Sequence, residues 1–165
     1  MHTDSAALAP ATQAALTWLS GRIGKVVHTS DWFTISQARI QKFAEATDDH
    51  QWIHIDVEHA KRESPYKTTI AHGYLTLSLY PALRGLVDGK KPMLEGMRSV
   101  INYGLNKTRF PAPVLAGSRI RALCTLQAAE VISPNTLQLT EVVAMEVEGQ
   151  TKPACVAEAI MRVGF

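Results

Sequence analysis

From residue 118 to residue 163 apolar side chains recur at every second position with few breaks, and a period of two confines this stretch to β-structure. In a strand over 118–131, Ile120, Ala122, Cys124 and Leu126 share one face, with Arg119, Arg121, Leu123 and Thr125 on the other. Ser133-Pro134-Asn135 is a turn signal, after which Leu137, Leu139, Val143, Met145 and Val147 carry a second strand that ends at Gly149. Residues 154–163 make a third, with Cys155, Ala157, Ala159 and Met161 opposite Val156 and Ile160. Short turns between consecutive strands require antiparallel pairing. Residues 93–106 read as a further strand, interrupted by Gly96 and Gly104.

The first half of the chain has helical periods. Residues 5–20 are rich in alanine and leucine and predict a short helix closed by Gly21, an extension of about 20 residues ahead of the main fold. Residues 22–35 alternate loosely and read as an early strand or extended arm. Ser36 is an N-cap candidate for a helix over 37–46, where Ile40, Phe43 and Ala44 share a face. Asp56 is placed to cap another helix, which Ser64-Pro65 ends. Residues 71–87 carry Leu75, Leu77, Leu79, Leu83 and Leu86 on more than one face, as a helix enclosed on several sides requires, with Pro81 set to bend it or restart it. A helix followed by a strand meander gives an α+β fold, an antiparallel sheet wrapped around a long central helix.

With 165 residues and 46% hydrophobic content, the chain is expected to be a single domain with its own core, spanning 1–165. A net charge of +2 without any Lys/Arg block argues against nucleic acid as a partner. Polar Thr76 and Ser78, with Pro81 and Arg84, interrupt the most apolar stretch, so no membrane span is expected. The N-terminus has no basic segment followed by an apolar run. Cys124 and Cys155 fall in alternating apolar patterns and read as buried free thiols of a reducing compartment, which places the chain in the cytoplasm.

The chemistry-bearing run is Thr47-Asp48-Asp49-His50-Gln51-Trp52-Ile53-His54. A carboxylate and an imidazole held together can share one water, one removing its proton while the other handles a proton elsewhere on the substrate. Eighteen residues beyond His54, Ala71-His72-Gly73-Tyr74 opens the central helix, and the bare N–H of Gly73 suits a developing oxyanion. The i, i+4 pair His50 and His54 near two aspartates superficially suggests a metal. No Glu-x-x-His or Cys pairing accompanies it, and no metal is expected.

Two segments together carry a family resemblance. One runs from Phe43-Ala44 through Thr47–His54 to Ile70-Ala71-His72-Gly73-Tyr74-Leu75; the other is Asn102-Tyr103-Gly104-Leu105-Asn106-Lys107-Thr108-Arg109-Phe110-Pro111-Ala112-Pro113-Val114, ending at Gly117. From about Phe43 onward the chain resembles the MaoC-like dehydratases, the group of (R)-specific enoyl-CoA hydratases and nodulation protein N relatives. The resemblance implies a hot-dog fold, usually as a homodimer, and addition of water to an enoyl-CoA thioester or its removal from a 3-hydroxyacyl-CoA. It places the general base on Asp49 and its partner on His54, beside which Gly73 is the candidate oxyanion donor. Gln51, Trp52, His72, Tyr74 and Arg109 are the substrate-binding candidates, Arg109 toward the CoA phosphate. The family signature has Gly, Asn and Pro where this chain has Asp48, Gln51 and Trp52. No cofactor is implied, because the thioester itself acidifies the α-carbon.

Two alternatives stay open at this level. Hot-dog proteins also include thioesterases, in which a carboxylate sends water to the carbonyl carbon. A catalytically silent acyl-binding module is the other.

Overall fold

The computed structural model describes residues 7–86 and 88–165. Residues 5 and 6 of the expected N-terminal helix, and Val87 at the end of the expected central helix, lie outside them. Helix α1 (Pro10–Ser20) starts on a proline, whose missing N–H costs nothing in a first turn. The extended arm forms two short strands, β1 (Val26–Thr29) and β2 (Phe33–Thr34). Helix α2 (Gln37–Thr47) follows, its Ser36 cap accepting a hydrogen bond from the Arg39 N–H as expected. Then come α3 (Trp52–Ile55) and α4 (Val57–Glu63), the latter capped by Asp56 through the His59 N–H.

The central element expected over 71–87 restarts at Pro81, one of the two outcomes set out above. It consists of α5 (Gly73–Ser78) and α6 (Tyr80–Arg84), meeting at Leu79. Pro81 is the reason: with no N–H it cannot continue the hydrogen-bond ladder, so it opens a new first turn instead. Four long strands complete the fold: β3 (Ser99–Arg109), β4 (Arg119–Ser133), β5 (Thr136–Val147) and β6 (Cys155–Gly164). The strand expected over 93–106 begins only at Ser99. Gly96 ahead of it has a φ of 75°, a left-handed turn conformation that no pleated strand tolerates.

The sheet runs β1-β4-β5-β6-β3, every pair antiparallel, with β2 also paired to β4. The buried alternation set out above becomes the inner face. Ala122 to Leu126 on β4, Leu137 to Met145 on β5 and Cys155 to Val163 on β6 pack on Tyr80, Leu86 and Leu94. Each such aliphatic side chain, taken fully out of water, stabilises the fold by roughly 1.5–3 kcal/mol. A second cluster of Ile35, Ile40, Ala71, Leu75, Leu79 and Val114 locks α2 and α5 together. That cluster lies beside the segment carrying Asp49 and His54. Both cysteines are free and buried, as expected. Among the described residues, no helix is long and apolar enough to cross a membrane.

Candidate active site

Helix α2 ends at Asp48, whose φ of 57° puts it in the left-handed region. The family signature has glycine here, and the reason is visible: a helix C-terminus that reverses direction favours a residue without a Cβ, with aspartate among the few tolerated replacements. The reversal lifts Asp49 off the helix end. One turn of helix later, α3 presents His54.

A chain of main-chain bonds fixes that turn. The His54 N–H donates to the Gln51 carbonyl (2.9 Å), and the His54 carbonyl accepts from the Gln37 side-chain amide (2.8 Å), while Gln37 in turn accepts from the Thr69 hydroxyl. The Ile70 N–H donates to the Ile53 carbonyl (3.1 Å), and the Ile70 carbonyl lies 2.7 Å from Nδ1 of His54. A carbonyl only accepts, so Nδ1 carries the proton and Nε2 keeps a free lone pair. Burial holds the His54 imidazole below its ordinary value of 6.5, and the neighbouring His72 pushes the same way; the Ile70 bond and the Asp49 charge oppose them without prevailing. His54 is therefore built as a neutral proton acceptor.

His72 completes the group. It is 3% exposed, donates from Nε2 to the Asp49 carbonyl (3.0 Å), and stacks on the His54 ring at 3.8 Å between centroids with 27° between planes. One potential ligating atom from each of Asp49, His54 and His72 lies within 4.8 Å of the others, a spacing that resembles a metal triad. The Nε2 of His72, however, needs its proton for the Asp49 carbonyl, so it offers a metal no lone pair. The acceptors this leaves open in the group are the Asp49 carboxylate and Nε2 of His54, with Nδ1 of His72 buried.

His54 and Gly73 line one recess of about 300 Å³, walled by Tyr66, Thr76, Phe110 and Pro113. Gly73 is the first residue of α5, where N–H groups have no partner within the helix. A Cβ at this position would sit 3.0 Å from the Phe110 ring, so any larger residue needs that ring to give way by a few tenths of an ångström at the helix start. The remaining binding candidates lie outside the walls of this recess. Gln51 is exposed and acts through its carbonyl, Trp52 stacks on His59 at 4.1 Å, and Arg109 donates to the Thr108 carbonyl at the exposed end of β3. Tyr74 is 69% exposed and meets Phe110 edge-on at 5.8 Å. Sequence reasoning missed Phe110, Thr76, Tyr66 and Gln37 as contributors. Only Phe110 carried a signal, its place beside two prolines.

Residues 19–148 match the family model described as the MaoC like domain. The chain is 49% identical over 144 residues to 3-hydroxyacyl-thioester dehydratase Z of Mycobacterium tuberculosis, covering 87% of this chain and 92% of that one. It is 38% identical over 153 residues to nodulation protein N of Rhizobium leguminosarum bv. viciae, covering 93% of each. Among solved structures, the (R)-hydratase from A. caviae involved in PHA biosynthesis superimposes with a TM-score of 0.65 at 23% identity, over 83% of this chain and 95% of that one. The α+β architecture described above is thus the hot-dog fold.

Proposed function

Since the chain belongs to the MaoC-like domain family, we propose that it is a hydro-lyase that interconverts a trans-2-enoyl thioester and the (R)-3-hydroxyacyl thioester, with CoA as the carrier. The observation that carries the reading is the meeting of two proton acceptors at one point. Ligating atoms of Asp49 and His54 lie within 4.8 Å of each other, with Nδ1 of His54 bonded to Ile70 and the Asp49 carbonyl bonded to His72, so the carboxylate and Nε2 of His54 remain as acceptors. A water that donates one hydrogen to each has its oxygen lone pair turned toward the third direction, where the β-carbon of the enoyl group would lie.

In hydration the water oxygen forms the bond to the β-carbon and gives a proton to Asp49. The electron pair of the double bond moves to the thioester oxygen as an enolate. That oxygen takes the N–H of Gly73 as its donor, helped by the positive end of α5. The enolate then collapses and the α-carbon takes the proton back from the Asp49–His54 pair. Both additions come from the face that holds the water, so the outcome is syn, and dehydration retraces the path. Nothing in this sequence needs a metal or an organic cofactor.

The homodimer belongs to the same proposal. Strand β3 is an edge of the sheet and leaves Ile101, Tyr103 and Leu105 at 62%, 55% and 48% exposure, an apolar edge of the kind that a second copy covers. We place the protein in the cytoplasm, where both buried thiols stay reduced.

The deciding experiment follows crotonyl-CoA at the enoyl-thioester band, with free thiol monitored in parallel, for wild type and Asp49→Asn. Loss of the band without thiol release, slowed by two to four orders of magnitude (roughly) in the mutant, is the expected result. Thiol release would make the protein a thioesterase. Silence in both channels, with longer enoyl chains as well, would make it a binding module.

A further inference from the structure

Asp49 presents a problem that the fold has to solve. Its side chain is half exposed, and among the described residues no donor lies within hydrogen-bonding distance of its carboxylate. That freedom leaves the oxygens available to a water, but it also leaves the residue on a short loop between α2 and α3 with nothing to aim it. A base misplaced by about 1 Å can lose on the order of a hundredfold in rate.

We propose that His72 is the positioning residue of this site, holding Asp49 by its backbone and His54 by its ring so that both acceptors meet one water. The inference rests on the hydro-lyase reading given above. From 23 residues away, the Nε2–H of His72 reaches the Asp49 carbonyl at 3.0 Å, and its distance to the Asp49 carboxylate is 3.9 Å. The bond is therefore spent on the main chain and leaves the carboxylate lone pairs free. The same ring covers His54 at 3.8 Å and is itself braced by Phe43 at 5.1 Å, tilted 53°. With Nδ1 of His54 already tied to Ile70, the stacked ring limits rotation about the remaining side-chain bond, which fixes the direction of Nε2. His72 also precedes Gly73 directly, so one residue couples the base, its partner and the oxyanion donor.

A residue kept only for packing would not carry a polar atom without a partner. Nδ1 of His72 is buried and unpartnered, a cost that an apolar side chain of the same size would avoid. What a leucine cannot supply is the Nε2 donor. Titratable groups facing His54 are Asp49 from the loop after α2, His72 from the start of α5, and Tyr66 across the recess. Of these, His72 holds the His54 proton affinity down, and its removal should raise it.

The test compares His72→Gln, whose amide nitrogen reaches about as far as Nε2, with His72→Ala, each followed in hydration of crotonyl-CoA. The expected result is a fall in kcat of at least about a hundredfold for His72→Ala with KM within about threefold, and recovery to within about tenfold of wild type for His72→Gln. Where His72→Ala does not fold, His72→Asn, too short to reach the carbonyl, takes its place in the same comparison. In parallel, NMR titration of the His54 imidazole should show its midpoint moving upward in His72→Gln, and the acid limb of kcat/KM should move to higher pH with it. The proposal is overturned if His72→Ala keeps kcat within about threefold, if glutamine does no better than alanine, or if the His54 midpoint stays where it is. A wild type that leaves crotonyl-CoA and longer enoyl-CoA thioesters untouched would instead remove the hydro-lyase reading. The NMR titration would then still decide, without activity, whether His72 governs His54.

Discussion

Glu141 sits on the inner face of β5 between Leu139 and Val143, 0% exposed, and the fold survives it because α6 brings two donors to meet it. Arg84 donates from Nε (3.0 and 3.1 Å) and Nη2 (2.8 Å) in a fork across the carboxylate, and the Tyr80 hydroxyl donates to Oε2 at 2.9 Å. Burial lowers the Arg84 guanidinium, but the bonds to Glu141 and its charge overcome this and hold it above its ordinary value. Burial first, and then the Glu141 charge, hold the Tyr80 phenol far above its usual range. Glu141→Gln keeps the shape and the Tyr80 bond, yet it strands Arg84 as an unpaired cation that is 8% exposed. Breaking one side of a buried pair costs about 3–5 kcal/mol, a large share of a total that is typically about 5–15 kcal/mol. With a urea slope of about 2 kcal/mol/M, the unfolding midpoint should fall by roughly 2 M. Removing both charges as Arg84→Met with Glu141→Leu should recover stability to within about 2 kcal/mol of wild type, because desolvation of the pair offsets most of its attraction. A Glu141→Gln midpoint within about 0.5 M of wild type would refute the reasoning, since it would mean that water reaches Arg84.

Gly73→Ala should push the Phe110 ring away from α5 by a few tenths of an ångström and lower kcat/KM by roughly tenfold to a hundredfold, with stability changed by no more than about 1–3 kcal/mol; unaltered kinetics would show that the recess is not where substrate sits. Burial pushes the Cys124 thiol up to about 12, with the Glu141 charge adding to it, and the Cys155 thiol up to about 11, so a disulfide dye should label neither in the native protein and both in urea. Because the folded state holds His54 below 6.5, it disfavours the charged imidazole. The associated stability is complete above that pH and lost as pH falls through the lowered value. His54→Asn should therefore lose less stability than wild type between pH 7 and pH 5 in urea titrations, and equal losses would remove His54 as the cause.

Much of the architecture was legible in residue order because it depends on local period. Alternation on β4, β5 and β6 names the buried face directly, since successive side chains of a strand must point to opposite sides of the sheet. The caps at Ser36 and Asp56 were legible for the same reason: a side chain that bonds three residues along needs no tertiary partner. Pro81 announced the break in the central helix, and Asp49, His54 and Gly73 stood out as candidates by residue type and spacing. Glu141 marks the boundary. Its period-two position assigns it to the core, but nothing near it in the chain supplies the counter-charge, which arrives from Arg84, 57 residues upstream. The site divides in the same way. Which residues can act on a proton is a matter of side-chain chemistry and is written in the chain. Which nitrogen of His54 stays free is decided by the Ile70 carbonyl, and the main chain of Asp49 is held by its bond from His72. Both are contacts across more than fifteen residues, made only once the α2 and α5 ends are packed together, because hydrogen-bond geometry is a property of positions in space rather than of order along a chain.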